Sequence, residues 1–275
     1  MENILVLTDF SHSAAMAANA AVDLAIKLET NIILLNTYLT TPEPGNALTP
    51  AANRSDALLN EAGRLTHLIN GHSAGSFKPG VKIMQEHGML SAKVEMVQRS
   101  NAVLMIIMGS RSKINCNSFY GSDIYAVINK ATCPVLVIPD SQHQFAIHNV
   151  VFLTDMPTTD INAAEYLAKL AKILKFDILI SPVTDQVMVM DLLEADEPAC
   201  FTGNLSKLNG EDICLANLQG DNFSQELITV EQPVKTSVIA IVHKKHYLYW
   251  RLFNQVQSKV LSQHNKASFL ILPEA

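Results

Sequence analysis

The sequence is poor in several things, and each shortage excludes a class. Charged residues make up only 17% of the chain, with 20 Lys and Arg against 26 Asp and Glu. The net charge of −6 argues against a broad nucleic-acid surface or a docking face for anionic membranes. No uninterrupted apolar run approaches the roughly 18–20 residues that span a bilayer. Met1-Glu2-Asn3 enters a strand pattern at once, without a basic segment or a long apolar segment, so no signal peptide is expected and a cytoplasmic location is. The four cysteines, Cys116, Cys133, Cys200 and Cys214, are scattered and form no CxxC pair, which argues against a disulfide framework and a structural zinc site. Cys133 and Cys214 lie in apolar runs and read as buried thiols. There is no G-x-S-x-G, no HExxH and no Walker loop, so no catalytic constellation is visible.

What the chain does have is aliphatic surface, at 48% hydrophobic residues over 275 positions. Short runs rich in Ile, Val, Leu and Met occur at Asn3–Thr8, Asn31–Asn36, Val81–Gln85, Val103–Met108 and Pro134–Ile138. They read as strands buried on both faces. Segments with helical spacing lie between them: Ser13–Leu28, Pro50–Asn70, Ala92–Arg99 and Ser122–Ala131. The Pro50–Asn70 segment places Leu58–Leu59, Ala62, Leu65 and Leu68–Ile69 on one face. Strand alternating with helix implies βαβ units and a parallel sheet with right-handed crossovers.

The pattern then begins again. Ile4-Leu-Val-Leu-Thr-Asp9 matches Val150-Val-Phe-Leu-Thr-Asp155, 146 residues on, and Asn31–Leu34 matches Asp177–Ile180 at the same offset. Leu104–Met108 matches Val238–Val242, and Val135–Pro139 matches Phe269–Pro273, both at an offset of 134. One net deletion of twelve residues in the second half reconciles the two offsets, and the chain reads as an internal duplication. The expected domains are 1–140 and 149–275, linked by residues 141–148. The deletion falls near Val187–Asn209, where a short or irregular helix is expected.

Ligands of an open parallel sheet bind beyond the carboxyl ends of its strands, where the strand order reverses. With the order 3-2-1-4-5, taken from the fold type, three segments converge there. They are Thr8-Asp9, Asn36-Thr37 and the loop that begins Gly109-Ser110-Arg111-Ser112 and ends Gly121-Ser122 before a helix. A glycine directly after a buried strand suits a tight turn, and a Gly-Ser pair opening a helix offers backbone N–H groups and a hydroxyl to a phosphate. Arg111 and Lys113 add positive charge. The bland alternative is that Asp9 is a turn or N-cap residue and Ser122 an ordinary cap.

The opening Ile-Leu-Val-Leu-Thr-Asp9-Phe-Ser-His-Ser-Ala, Met108-Gly-Ser-Arg with Gly121-Ser122, and Cys133-Pro-Val-Leu-Val-Ile-Pro139 together resemble the universal stress protein family. The resemblance implies two tandem copies of a five-stranded Rossmann-like α/β sandwich of the adenine nucleotide alpha hydrolase-like type. It implies that the last strands of the copies pair as an intrachain pseudo-dimer, and it leaves a homodimer of whole chains open. ATP-binding members of the family hold the nucleotide with an Asp after strand one, backbone at the end of strand two, and a loop G-x2-G-x9-G-[S/T]. Carried over, these are Asp9, Thr37, Gly109, Gly121 and Ser122, with Ser110, Arg111 and Ser112 inside the loop.

The loop departs from the pattern. Ser112 replaces the second glycine, and the spacer Lys113–Tyr120 has eight residues instead of nine. A left-handed backbone at Ser112 would cost about 1–2 kcal/mol, enough to weaken binding about tenfold. In the second half Gly109, Ser112, Gly121 and Ser122 become His243, His246, Gln255 and Val256, so no phosphate cradle is expected there. His243 and His246 flank two lysines, which disfavours a metal, and Tyr247, Trp250 and Phe253 read as packing.

Three expectations follow. The first is a stress-response regulator binding ATP or another adenine nucleotide in the first half, with at most weak hydrolysis. The second is a scaffold of the same fold that binds an unknown protein partner and no nucleotide. The third is a sensor of a different small molecule.

Overall fold

The computed structural model describes residues 1–38, 51–72, 76–110, 122–139, 145–154, 160–184, 213–215, 218–219, 238–243 and 268–274. Of these, 51–53, 122, 181–184, 213–215 and 218–219 are described by backbone alone. The chain divides into two compact units, Met1–Phe145 and Ala146–Ala275.

The first unit runs β1 (Asn3–Leu7), α1 (His12–Lys27), β2 (Asn31–Tyr38), α2 (Ala51–Gly71), β3 (Val81–His87), α3 (Leu90–Ser100), β4 (Val103–Ser110), α4 (Ser122–Ile128) and β5 (Val135–Pro139). Its strands are all parallel, in the order β3-β2-β1-β4-β5. The expected order is thus the observed one. Ile4, Leu5 and Val6 have no exposed surface: β1 has a strand on either side, and α1 packs on it. Each such aliphatic side chain contributes about 1.5–3 kcal/mol relative to an exposed one.

Two expectations need correction. β3 is not buried on both faces: Lys82, Ile83 and His87 are exposed, because among the described residues β3 is the last strand on its side and pairs with β2 alone. The apolar face of α2 is also narrower than its sequence suggests. Leu58, Leu65 and Ile69 are buried at helical spacing, whereas Leu59 is 56% exposed and Leu68 36%. The helix leans on the sheet along one stripe, and Arg64 closes its flank by reaching Asn19 Oδ1 of α1 (2.6 Å) while held by Glu61 at 2.6 and 2.8 Å. The hydrogen bond from Glu61 raises the Arg64 pKa, partly offset by burial.

Helix α1 packs on β4 through small residues. Ala14, Ala17, Ala18, Ala21 and Ala25 are all buried. Its start is capped by Ser11, whose hydroxyl accepts from the Ala14 N–H (3.3 Å). At its end the Thr30 N–H bonds back to the Ala25 carbonyl (3.0 Å), and Glu29 takes a left-handed φ of 52° to allow it.

The second unit contains β6 (Asn149–Thr154), α5 (Asp160–Leu174), β7 (Asp177–Thr184), β8 (Ile213–Leu215), β9 (Leu218–Gln219), β10 (Val238–His243) and β11 (Ser268–Pro273). Its parallel strands follow the order β11-β10-β6-β7-β8, with β9 also on β7. Read from β8 and with the short β9 left out of the count, that is again 3-2-1-4-5. The local geometry repeats as well. Lys175, 146 residues after Glu29, has φ 58° at the end of α5. Asp177 N–H bonds His148 O at 3.1 Å, as Asn31 N–H bonds Glu2 O at 3.1 Å, both partners being 146 residues apart. The stretch Val187–Asn209 and the link residues 141–144 lie outside the described residues.

Candidate functional site

The strand order reverses beside β1, which pairs with β2 on one side and β4 on the other. The carboxyl ends of these three strands therefore lie together, and the sequence places its candidate residues on them.

Thr8 to Ser11 form a tight turn from β1 into α1. Thr8 is buried, and its hydroxyl accepts from the Phe10 N–H at 3.1 Å. The exposed Asp9 carboxylate accepts from the Ser11 N–H at 3.0 Å. Phe10 adopts φ 63°, a left-handed backbone that costs a non-glycine residue about 1–2 kcal/mol. Asp9 thus does the work of a turn residue, with its carboxylate at the solvent side of the sheet end.

Thr37 is half-buried inside β2, which extends to Tyr38, past the Asn36 expected as its end. Its partner in register is Glu86 of β3. Gly109 likewise lies within β4, which continues to Ser110, so it is a strand residue and not a turn. The reason for a glycine is the approach of α1: a Cβ there would stand 2.3 Å from the carbonyl carbon and oxygen of Ser13 and 2.7 Å from Ala14 N. Ser110 is buried beside Pro139 of β5. Arg111, Ser112 and Gly121 lie outside the described residues, as does the side chain of Ser122, whose backbone opens α4. Asp123 in the first turn of α4 already sets a negative charge at the positive end of that helix, which opposes a phosphate there.

The structure also gathers polar residues to which the sequence reasoning gave no role of their own. Asn36 is buried, and its Nδ2 donates to the Thr8 carbonyl at 2.7 Å. Gln85 stands opposite Asn36 in the β2–β3 register, and its Oε1 accepts from Ser55 Oγ of α2 at 2.5 Å. One step further along the same face, Tyr38 meets His87 edge-on at 5.4 Å, and the Arg54 guanidinium lies over the Tyr38 ring at 5.9 Å. The signal for Asn36 was an amide closing an otherwise aliphatic run, a position where burial demands a partner.

In the second unit, Thr154 closes β6 and its hydroxyl bonds the buried carboxylate of Asp160 at the start of α5. Asp155 and His246 lie outside the described residues. Among the described residues, no helix is long and apolar enough to cross a membrane. Cys133 is a buried free thiol, as expected, whereas the side chains of Cys116, Cys200 and Cys214 lie outside the described residues.

Comparison with known proteins agrees with this architecture. A universal stress protein from Archaeoglobus fulgidus DSM 4304 superposes with a TM-score of 0.71 over 99% of this chain and 96% of its own, at 14% identity. A functionally unknown protein from Pseudomonas aeruginosa PAO1 superposes at 0.56 over 100% and 93%, also at 14% identity. At such identities the likeness concerns the fold. No curated protein matches the chain in sequence. The model of the universal stress protein family matches residues 1–139, just over half the chain, and the chain belongs to that family.

Proposed function

We propose that the protein is a regulator of the stress response whose first unit binds ATP or another adenine nucleotide. The observation that carries this reading is the meeting of Asp9, Thr37 and Gly109-Ser110 at the ends of three neighbouring strands, beside the reversal of strand order. That is where ligands of open parallel sheets bind. Asp9 faces solvent there, and the family pattern assigns it to the adenosine part. The reaction expected is none, or at most slow ATP hydrolysis: the sequence carries no recognisable catalytic motif, and among the described residues no group of His, Cys, Asp or Glu could hold a metal ion. The second unit lacks the glycine loop in sequence, and no nucleotide is assigned to it. The protein works in the cytoplasm.

A second reading has an observation of its own. Asp123 opposes a phosphate at α4, and Gly109 is explained by helix packing alone. On that reading both units form a scaffold without nucleotide.

Calorimetry with ATP separates the two. Micromolar binding at about one site per chain, weakened at least tenfold by Asp9→Ala, supports the nucleotide reading. Asp9→Asn keeps an acceptor for the Ser11 N–H and serves as the folded control. Absence of heat at millimolar ATP sinks the nucleotide reading in favour of the scaffold.

A further inference from the structure

The Gly80 carbonyl accepts from the Ile32 N–H at 2.9 Å, and the Gly88 N–H donates to the Tyr38 carbonyl at 3.0 Å. Between these two bonds the β2–β3 register turns the backbone groups of Lys82, Met84 and Glu86 towards β2. Those of Val81, Ile83, Gln85 and His87 therefore point outward, and among the described residues no strand lies beyond them. Apolar side chains stand beside this edge. Ile83 is 36% exposed. Leu59, 56% exposed, lies one turn after Ser55, the residue of α2 that bonds Gln85. It is on the side of the helix away from Arg64, which reaches for α1. A row of outward N–H and C=O groups flanked by aliphatic surface is a template for another strand.

The sequence Val81-Lys-Ile-Met-Gln-Glu-His87 selects the strand that fits. Laid antiparallel on itself about a two-fold axis at Met84, Ile83 meets Gln85 of the second copy and Val81 meets its His87. These are the residues with outward backbone groups, so each pair exchanges both of its hydrogen bonds. Lys82 then stands opposite Glu86 of the second copy, and Glu86 opposite its Lys82. Both are non-hydrogen-bonded pairs, the kind in which side chains come closest, and opposite charges there stabilise. Moving the axis by one residue either way sets each charge opposite Met84 or a glycine. Glu86 already holds Lys93 at 3.0 Å, so the second cation meets a carboxylate that is in place. Lys82 in turn guards the edge against strands that bring no acid to that position. We infer that the β3 edge is a homodimer interface, with the β3 strands of two chains paired antiparallel about Met84. This is a different edge from β5, to which the family resemblance assigns intrachain pairing, and it does not depend on the nucleotide reading.

Sedimentation equilibrium of the full chain should show reversible dimers in the micromolar range. Ile83→Pro removes one outward N–H and no bond to β2, so it should abolish the dimer while thermal melts still show a folded chain. Lys82→Glu should weaken the dimer at least about tenfold by setting like charges opposite each other. Adding Glu86→Lys should recover part of that loss, since the pair is then reversed. Met84→Cys tests the axis. Met84 alone meets its own copy, at a Cα separation of about 4.5 Å that a disulfide spans. Under mild oxidation this variant should cross-link faster than the native chain and faster than Ile83→Cys, whose counterpart is Gln85. Should Ile83→Pro fail to fold, the charge reversal and the cross-link still decide. A chain that stays monomeric up to on the order of 100 μM overturns the inference. So does a dimer that Lys82→Glu leaves intact, that the added Glu86→Lys weakens further, or in which Met84→Cys cross-links no faster than Ile83→Cys.

Discussion

Gly109 of β4 and Ser13 of α1 approach so closely that the space for a Cβ on the glycine is already taken by the serine carbonyl, 2.3 Å away. Backbone occupies that space, so nothing flexible can yield. Gly109→Ala should therefore push α1 off the sheet and cost at least about 1–3 kcal/mol. Gly63 in α2 is the contrasting case, with nothing within 4 Å of its would-be Cβ. Gly63→Ala should stabilise by about 0.5–1 kcal/mol through helix propensity. Urea unfolding of both variants checks the opposite signs.

The Asn36–Thr8 bond predicts a graded series. Asn36→Leu keeps the branching of the side chain but leaves the Thr8 carbonyl without that donor, at a cost of about 1–3 kcal/mol. Asn36→Asp is worse, because a buried carboxylate then faces that carbonyl. An Asp variant as stable as the native protein at pH 7 would contradict the assigned donor.

Glu29 and Lys175 occupy equivalent left-handed positions after the first helix of each unit. Replacing either by glycine should relieve strain and raise stability by about 1 kcal/mol, less the entropy that glycine adds to the unfolded chain. Thermal melts of both single variants should shift upward.

Burial raises the Cys133 thiol from 9.0 to about 12, with a hydrogen bond to the Ile106 backbone partly opposing the shift. The folded protein keeps this proton when the unfolded chain has lost it. The stability it confers is therefore complete below pH 9 and is lost as pH rises from 9 towards 12. Between pH 8 and pH 10, native stability should fall more steeply than that of Cys133→Ala. Site-mapped alkylation at pH 8 should modify Cys133 only as fast as the protein unfolds.

Most of the first unit was legible because buried strands leave aliphatic runs and Ala-rich helices leave a period. The ends were less so. β2 and β4 run on through Thr37-Tyr38 and Gly109-Ser110, residues too polar or too small to extend an apolar run. The exposure of β3 could not be read from Val81–Gln85, since an edge is a property of the sheet order and not of the strand. The same holds for Gly109, whose reason lies in Ser13, and for Asn36 and Gln85, which are 49 residues apart in sequence and adjacent only through the β2–β3 register. Strand ends point to where a site lies, whereas the pairs inside it follow from topology.

The position of β1 also has a consequence for the birth of the protein. Asn3 of β1 pairs with Asn31 of β2 but with Val103 on its other side. Translation at about 5–20 residues per second separates the two pairings by roughly 4–14 seconds. Throughout that interval Ile4–Leu7 present an open apolar edge, the kind of surface that recruits chaperones or other nascent chains. The strand that ends as the best-protected in its unit is, during synthesis, the one longest without its second neighbour.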